Sequence, residues 1–402
     1  MTILRHTFTK DNYIQIPNLK TFCKERKLKI SHFNKVDFIN EVEKYGKKGI
    51  RQKKDVIEWA VKTIKEGSKE CCYRKIYRIS EEHKNFDKLD KLIKSNYPNC
   101  PNKNVLEYGN TDEIEMINYR IILNEKQQVK LVSFVFSGLV FEGERLLAGE
   151  KIIYPVFIDF YIEKGFIVTK QKAKSTIYEI TESEQLSNET HIDTKKYAVD
   201  LMNHLMKIFG MLWDKEGSAI KNKVYKMQYK LYEKYSFTPK DVKDIMNGVK
   251  KDSEEFVKKM FLELELSTNN LENAINDLEI FAEKYVSING NNENVFKNDR
   301  EAYLVKVVSD DEQEMTRVDT SSSLSKPLQC TEAFFDSKKA IIKSKQCEKL
   351  QLCFKRKEKK YFGDDGICVQ FEAKNNYGIV KIAQYAEAED TENVLQTVFE
   401  NY

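Results

Sequence analysis

Histidine is scarce in this sequence, and its five residues stand apart at positions 6, 32, 83, 191 and 204. That scatter offers neither a histidine metal site nor a nucleophile with a histidine base. A glycine-rich phosphate loop, a G-x-S-x-G elbow and an H-E-x-x-H helix are all missing, which removes the most familiar nucleotide-hydrolysing, serine-hydrolase and zinc-peptidase signatures. The eight cysteines form no C-x-x-C pair. They suit free thiols in a reducing interior better than a disulfide scaffold or a zinc module. The longest uncharged run, Leu131 to Phe141, is far shorter than the roughly 18 to 20 apolar residues of a membrane helix. Met1 to His6 lacks an apolar signal core and a small-residue cleavage site, so a cytoplasmic location is expected. Only 6 prolines and 15 glycines are present. With the abundance of Lys, Asn, Ile and Tyr, that usage resembles an AT-rich coding genome.

The length of 402 residues suits two or three domains, each able to bury a core without metal or disulfide. Charge is more telling by region than in total. Residues 1–80 hold 20 Lys and Arg against 9 Asp and Glu, a net of +11, whereas the whole chain is only +4. A region so charged attracts phosphate backbones, although a solvated basic face has the same composition.

Within that region, Leu19, Phe22 and Cys23 recur at i, i+3 and i+4, and Phe38, Val42 and Tyr45 repeat the helical spacing. Between them lie Leu28, Ile30 and a polar Ser31-His32-Phe33-Asn34 break. Two short helices with an extended link are expected, started by Pro17-Asn18, capped at the second helix by Asn34 and stopped at Gly46. The segment Ile16 to Gly46 resembles the SAP motif, through Leu19-Lys20, Leu28, Lys35, Asp37 and Phe38-Ile39. Lys27 and His32 depart from it, standing where glycines are usual, and the link is about one residue longer. The resemblance implies double-stranded DNA as partner, contacted by the link and the start of the second helix. Candidate DNA-binding residues are therefore Lys20, Lys24, Arg26, Lys27, Lys29, His32, Asn34 and Lys35. The cations that follow, Lys47, Lys48, Arg51, Lys53 and Lys54, join them. They lead into a third helix with Ile57, Ala60, Val61 and Ile64 on its apolar face and Gly67 at its end. Arg74, Lys75 and Arg78 extend the charge.

From Ile117 to Ile180 the period becomes extended, with a hairpin signal at Glu163-Lys164-Gly165. An antiparallel β domain is expected, apolar on both faces and covered by the helices that follow. The alternating Lys170, Lys172 and Lys174 read as edge protection. A long helical stretch, about Lys195 to Tyr235, carries a stripe at Ala198, Leu201, Met202, Leu205, Phe209 and Leu212. A second stripe at Ile220, Val224, Met227, Leu231 and Tyr235 has near-heptad spacing, suiting core packing or a homo-oligomer seam. Further helices follow from Thr238-Pro239, from about Asp252 to Leu264 and from Asn270 to Tyr285. Past the Asn289 to Asn294 linker, extended segments return, Ala340-Ile341-Ile342 among them, before a final helix.

The expectation is an α+β protein in three parts: 1–80, a helical DNA-binding unit; 81–288, a β domain with long helices; and 289–402, a β-rich domain. Asp364-Asp365 followed by Glu372-x-Lys374 resembles the signature of PD-(D/E)xK nucleases, in which two acids bind a divalent ion and the lysine activates water. Gly363-Asp-Asp-Gly366 reads equally as a hairpin turn. The function expected is a non-catalytic DNA-binding accessory or recruitment protein without a cofactor, in an anti-phage or mobile-element setting. The alternatives are a metal-dependent nuclease and a protein-interaction scaffold.

Overall fold

The structure is a computed structural model. It describes residues 2–402 except 30–33, 109–110, 144–149, 181–190, 214–216, 290–292, 312–315, 324–325 and 357–365. The chain opens with α1 (His6–Lys10), α2 (Ile16–Glu25), α3 (Lys35–Gly46) and α4 (Ile50–Lys65), then β1 (Lys69–Arg78), α5 (Glu81–Lys84) and α6 (Phe86–Asn96). Strands β2 (Glu115–Leu123), β3 (Val129–Glu142), β4 (Glu150–Tyr161), β5 (Phe166–Gln171) and β6 (Ile177–Tyr178) precede α7 (Thr194–Ile208), β7 (Leu212–Trp213) and α8 (Gly217–Ser236). Next come α9 (Lys240–Glu263), α10 (Leu271–Asn289), α11 (Glu293–Asn298), β8 (Ala302–Asp311), β9 (Thr316–Ser321) and α12 (Glu332–Ser344). The chain closes with β10 (Lys349–Lys355), β11 (Gly366–Ala373), β12 (Gly378–Ile382) and α13 (Ala388–Asn401). Helices and antiparallel strands make it an α+β protein.

Two compact units are present. The first contains Met1–Gly217 and Lys374–Leu395; the second contains Ser218–Arg356, Gly366–Ala373 and Gln396–Tyr402. The expected boundaries after 80 and 288 therefore both fall inside a unit. In the first unit the strands run β2-β3-β4-β5-β1-β12, each pair antiparallel. Alternation along β3 and β4 supplies two apolar faces. Phe134, Phe136, Val156, Ile158 and Phe160 pack with Leu89 and Ile93 of α6 and with Ala198, Met202 and Leu205 of α7. Ile153 and Phe157 point the other way, into a core with Leu19 and Phe22 of α2, Phe38 and Val42 of α3, and Val56 and Ala60 of α4. The amino-terminal helices thus share a core with the sheet.

β1 went unread in the sequence because its charged residues interrupt any simple alternation, yet it lies between β5 and β12. Arg74, expected to extend the basic surface, is buried there, donating from Nε to the Asn376 carbonyl (2.5 Å) and from Nη1 to Asn203 Oδ1. The three alternating lysines correct in the same way. β5 is an interior strand, so Lys170 guards no edge; it is buried against Asp159. Lys172 lies over the Tyr13 ring at 4.5 Å, and Lys174 pairs with Asp11 (2.9 Å) and Glu142.

The expected helix from 195 to 235 is interrupted by β7, which pairs with β1. In the second unit, β11-β10-β8-β9 form an antiparallel array. The α8 stripe of Ile220, Val224, Met227, Leu231 and Tyr235 is buried, with Tyr235 against Phe354 of β10 and Tyr232 against Phe334 of α12. That burial leaves no apolar seam on α8 for a second copy. Ala340-Ile341-Ile342, expected as a strand, belongs to α12: a three-residue apolar run fits either period, and the buried Phe334 and Ile341 at i and i+7 decide for the helix. The helix expected from Pro239 and the piece expected from Asp252 to Leu264 join into one 24-residue helix, α9, despite Gly248, while the piece from Asn270 forms α10.

Candidate nucleic-acid interface

The local signals at the amino terminus act as their chemistry dictates. Pro17 lies in the first turn of α2, where its missing N–H costs nothing. Asn34 caps α3 by accepting the Asp37 N–H at 2.9 Å. Gly46 ends α3 in a tight place, since a Cβ there would fall 2.4 Å from Ile3 Cδ1. Gly67, after α4, has a positive φ of 93°.

One ion pair sets the geometry of the surface. Arg26, just past α2, donates to both oxygens of Asp55 on α4, from Nε at 2.9 Å and from Nη2 at 2.8 Å. Its guanidinium also covers the Phe22 ring at 4.1 Å. The Tyr45 hydroxyl at the end of α3 donates to the same carboxylate at 3.1 Å. Asp55 therefore ties together the ends of α2 and α3 and the first half of α4, and the Arg26 hydrogen bonds hold its carboxyl below the usual carboxylate range. Arg51 lies one turn before Asp55, so the carboxyl end of α2 and the α3–α4 turn are neighbours.

Around this junction Lys20, Lys24, Lys27, Lys29, Lys47, Lys48, Arg51, Lys53 and Lys54 are all exposed. Lys54 approaches Glu58 at 3.7 Å and Lys48 lies 6.0 Å from the Tyr45 ring. Lys20, Lys24, Lys27, Lys29, Lys47 and Lys53 make no side-chain hydrogen bond or ion pair with any described residue. The start of α4 concentrates the anomaly. Gly49 supplies no side-chain cap, the first turn contains no acid, and Ile50 is 91% exposed. Cations at a helix amino terminus oppose the macrodipole, whereas an anion there satisfies both the cations and the free N–H groups.

Two of the candidates are committed elsewhere. Arg26 is held by Asp55 and Glu25. Lys35 donates to the Thr9 carbonyl and to Asn12 Oδ1 (3.2 Å), tying α3 to α1, and burial lowers its pKa. Asn34 is exposed but occupied as a cap, and His32 lies outside the described residues. Lys27, where the SAP resemblance expects glycine, has a left-handed backbone with φ 52°. A lysine is strained in that conformation and a glycine is not.

Beneath the surface, a charge cluster that the sequence reading did not assemble anchors α4 to the sheet. Lys65 at the end of α4 and Lys170 on β5 reach Asp159 on β4 at 3.0 and 2.7 Å, and Ser133 donates to it at 2.5 Å. Burial opposes ionisation of both Asp159 and Lys170, but each holds the other charged: the carboxyl stays well below its ordinary pKa and the amine well above. Nearby Lys69 has no such partner. It donates to the Ile64 carbonyl at 3.0 Å, and burial lowers it to about 7. A pairing spread over 94 residues leaves no local signal in sequence.

The carboxy-terminal acids divide differently. Asp364 and Asp365 lie outside the described residues. Glu372 is buried on β11, accepting from Gln370 Nε2, with Lys349 Nζ at 3.9 Å. β11 ends at Ala373, so Lys374 lies beyond the strand, exposed, with its backbone N–H bonded to the Tyr377 carbonyl at 2.9 Å. Among the described residues no group of three or more His, Cys, Asp and Glu is placed to hold a metal ion, and no described helix is long and apolar enough to cross a membrane. No protein-family model matches the chain, and no curated protein matches it significantly.

Proposed function

We propose that this protein is a non-catalytic DNA-binding accessory or recruitment factor that holds duplex DNA against the exposed surface of α2–α4. The observation that supports the reading is the group of unpaired cations gathered by the Arg26–Asp55 clamp around the open start of α4. Held so, Lys24, Lys27 and Lys29 would meet one stretch of backbone while Lys47, Arg51 and Lys53 meet another, with the α4 N–H groups facing a phosphate between them. Such contacts supply affinity and register without reading sequence. The SAP-like pattern of Leu19-Lys20, Leu28 and Phe38-Ile39 favours the same partner. A bacterial anti-phage or mobile-element system is our proposed context, the AT-rich residue usage favouring its bacterial part alone.

The test requires the full chain, because β1 lies inside the sheet and a fragment ending at residue 80 would expose both its edges. Fluorescence anisotropy with a mixed-sequence duplex should give binding that falls steeply with salt, each neutralised phosphate adding about −0.9 to the slope of log K against log salt. Replacing Lys27, Lys47, Arg51 and Lys53 by alanine should weaken binding about tenfold or more and flatten the slope by about one for each phosphate no longer neutralised. Lys221→Ala with Lys223→Ala, on α8, should leave both unchanged. Equal weakening in the two variants would mean a diffuse electrostatic surface, and absence of binding at low salt would favour the scaffold reading.

A further inference from the structure

α9 matches its charges, and the hairpin it forms with α10 exposes its apolar residues. Along α9, Lys251, Lys258 and Lys259 lie 3.8–3.9 Å from Glu255, Glu254 and Glu263, and Lys250 reaches Glu279 of α10 at 3.8 Å. The helix carries six lysines against six acids. Yet Ile245, Val249 and Phe256 of α9, Phe281 and Tyr285 of α10, and Leu262, Leu264 and Leu266 at the hairpin end are all exposed, Phe256 by 60% and Leu262 by 80%.

These residues are ordered along the helices. Ile245, Val249 and Phe256 recur at i, i+4 and i+11, which draws one stripe on α9. Phe281 and Tyr285 are one turn apart on α10, with ring centroids 4.8 Å apart. α12 meets α10 through Glu283 with Lys338 (2.5 Å) and Asp277 with Lys339 (2.9 Å). At 3.6 residues per turn Glu283 lies roughly 180° around α10 from the midpoint of the two aromatics and Asp277 roughly 60°, and both aromatics remain about half exposed beside α12. Gly248 borders the stripe, and nothing lies within 4 Å of where its Cβ would be. An interior helix glycine is unfavourable, and a close approach by another backbone gives it a reason.

We propose that this face is an isologous dimer interface, in which the α9–α10 hairpins of two copies of this chain pack face to face as a four-helix bundle. Size supports a protein partner. Leaving out Leu262, which lies about 120° around α9 from the stripe, seven side chains about half exposed, three of them aromatic, present on the order of 600 Å² of apolar surface. That lies at the top of the roughly 300–600 Å² range of the largest patch on a typical monomer, and it meets the roughly 600 Å² per partner of the smaller stable interfaces. Charge selects a second copy. α9, which carries the stripe, has six charges of each sign and meets a second α9 without net repulsion, whereas the hairpin as a whole, with 7 Lys against 11 Asp and Glu, has no excess of cations to hold nucleic acid.

Sedimentation velocity on the full chain over a micromolar concentration range tests this. The expected result is a species of twice the 47.3 kDa monomer mass. Phe256→Glu and Phe281→Glu, each placing a charge on the face, should each weaken the dimer by about a hundredfold or more. Ile342→Glu, also exposed but on α12, should leave it intact. Both positions on the face are open to solvent in one copy, so circular dichroism should find each variant folded. A monomer at every concentration would overturn the proposal and give the face to a different protein. A dimer untouched by both variants, or equally weakened in Ile342→Glu, would overturn it as well.

Discussion

Lys27, Lys47 and Lys53 stand in solvent without a partner among the described residues, while Lys170 and Lys65 converge on one carboxylate, Asp159, beneath α4. In sequence the two sets look alike, as lysines in strongly basic stretches. What separates them is cover. A buried ammonium that is paired keeps its charge, as Lys170 does, and one without a carboxylate gives up its proton more readily, as the lowered pKa of Lys69 illustrates, whereas an exposed one is solvated and requires nothing from its own chain. Cations of the first kind hold the sheet and α4 together. Those of the second kind are left available to an outside anion.

The largest effect should come from the buried side of this contrast. Lys170→Ala leaves Asp159 with the Ser133 hydroxyl and the partly exposed Lys65 and should cost about 3–5 kcal/mol in urea unfolding. The same pair predicts a pH profile. Asp159 is depressed below 3.8, so its contribution is complete above that value and is lost as pH falls toward the folded pKa. Lys170 is raised above 10.5, so its contribution is complete below that value and is lost as pH rises. Unfolding free energies of wild type and Lys170→Ala should therefore converge at both extremes and differ most between them. A constant difference across pH would show that packing, and not charge, accounts for the loss.

Arg26→Ala should have the next effect, because Arg26 belongs to the exposed basic region and is nevertheless structural. Removing a half-buried bidentate pair should cost about 1–2 kcal/mol in the same measurement. It should also reduce DNA affinity by freeing the end of α2. Lys24→Ala, two residues away and unpaired, should change stability by less than about 0.5 kcal/mol. If the two variants were equally stable, the clamp would have no part in arranging the surface.

The smallest effect is the sharpest discriminator. Lys27 holds a left-handed backbone, so Lys27→Gly should raise stability by up to about 1 kcal/mol through relief of strain. It should at the same time weaken DNA binding by removing a cation. Stability and affinity moving in opposite directions would mark Lys27 as a residue kept for an external contact. Unchanged affinity would take it out of the proposed surface.

How much of this was legible depended on the range of the interaction. The stripes of α2 and α3, the Asn34 cap, the Gly46 stop and the Glu163-Lys164-Gly165 hairpin are local, and each occurs where its spacing indicated. Arg26 and Lys35 were legible as cations and illegible as structural ones, because their partners lie 29 and 26 residues away. β1 was hidden for a related reason: Glu70, Arg74 and Lys75 interrupt the apolar pattern of an interior strand. Arg74 is accepted there only because Asn203 and the Asn376 carbonyl receive it.

By itself the sequence determined the helical and extended periods, the scarcity of catalytic signatures and the concentration of positive charge in the first 80 residues. These depend on neighbours within a turn or two of chain, or on composition alone. Only the tertiary structure decided that the amino-terminal helices share a core with the sheet, that the Lys170 series is interior, that the α8 stripe is covered and that the α9–α10 face is open. Each of these depends on which surfaces the rest of the chain buries. Burial is set by contacts between residues tens to hundreds of positions apart, to which no local period responds.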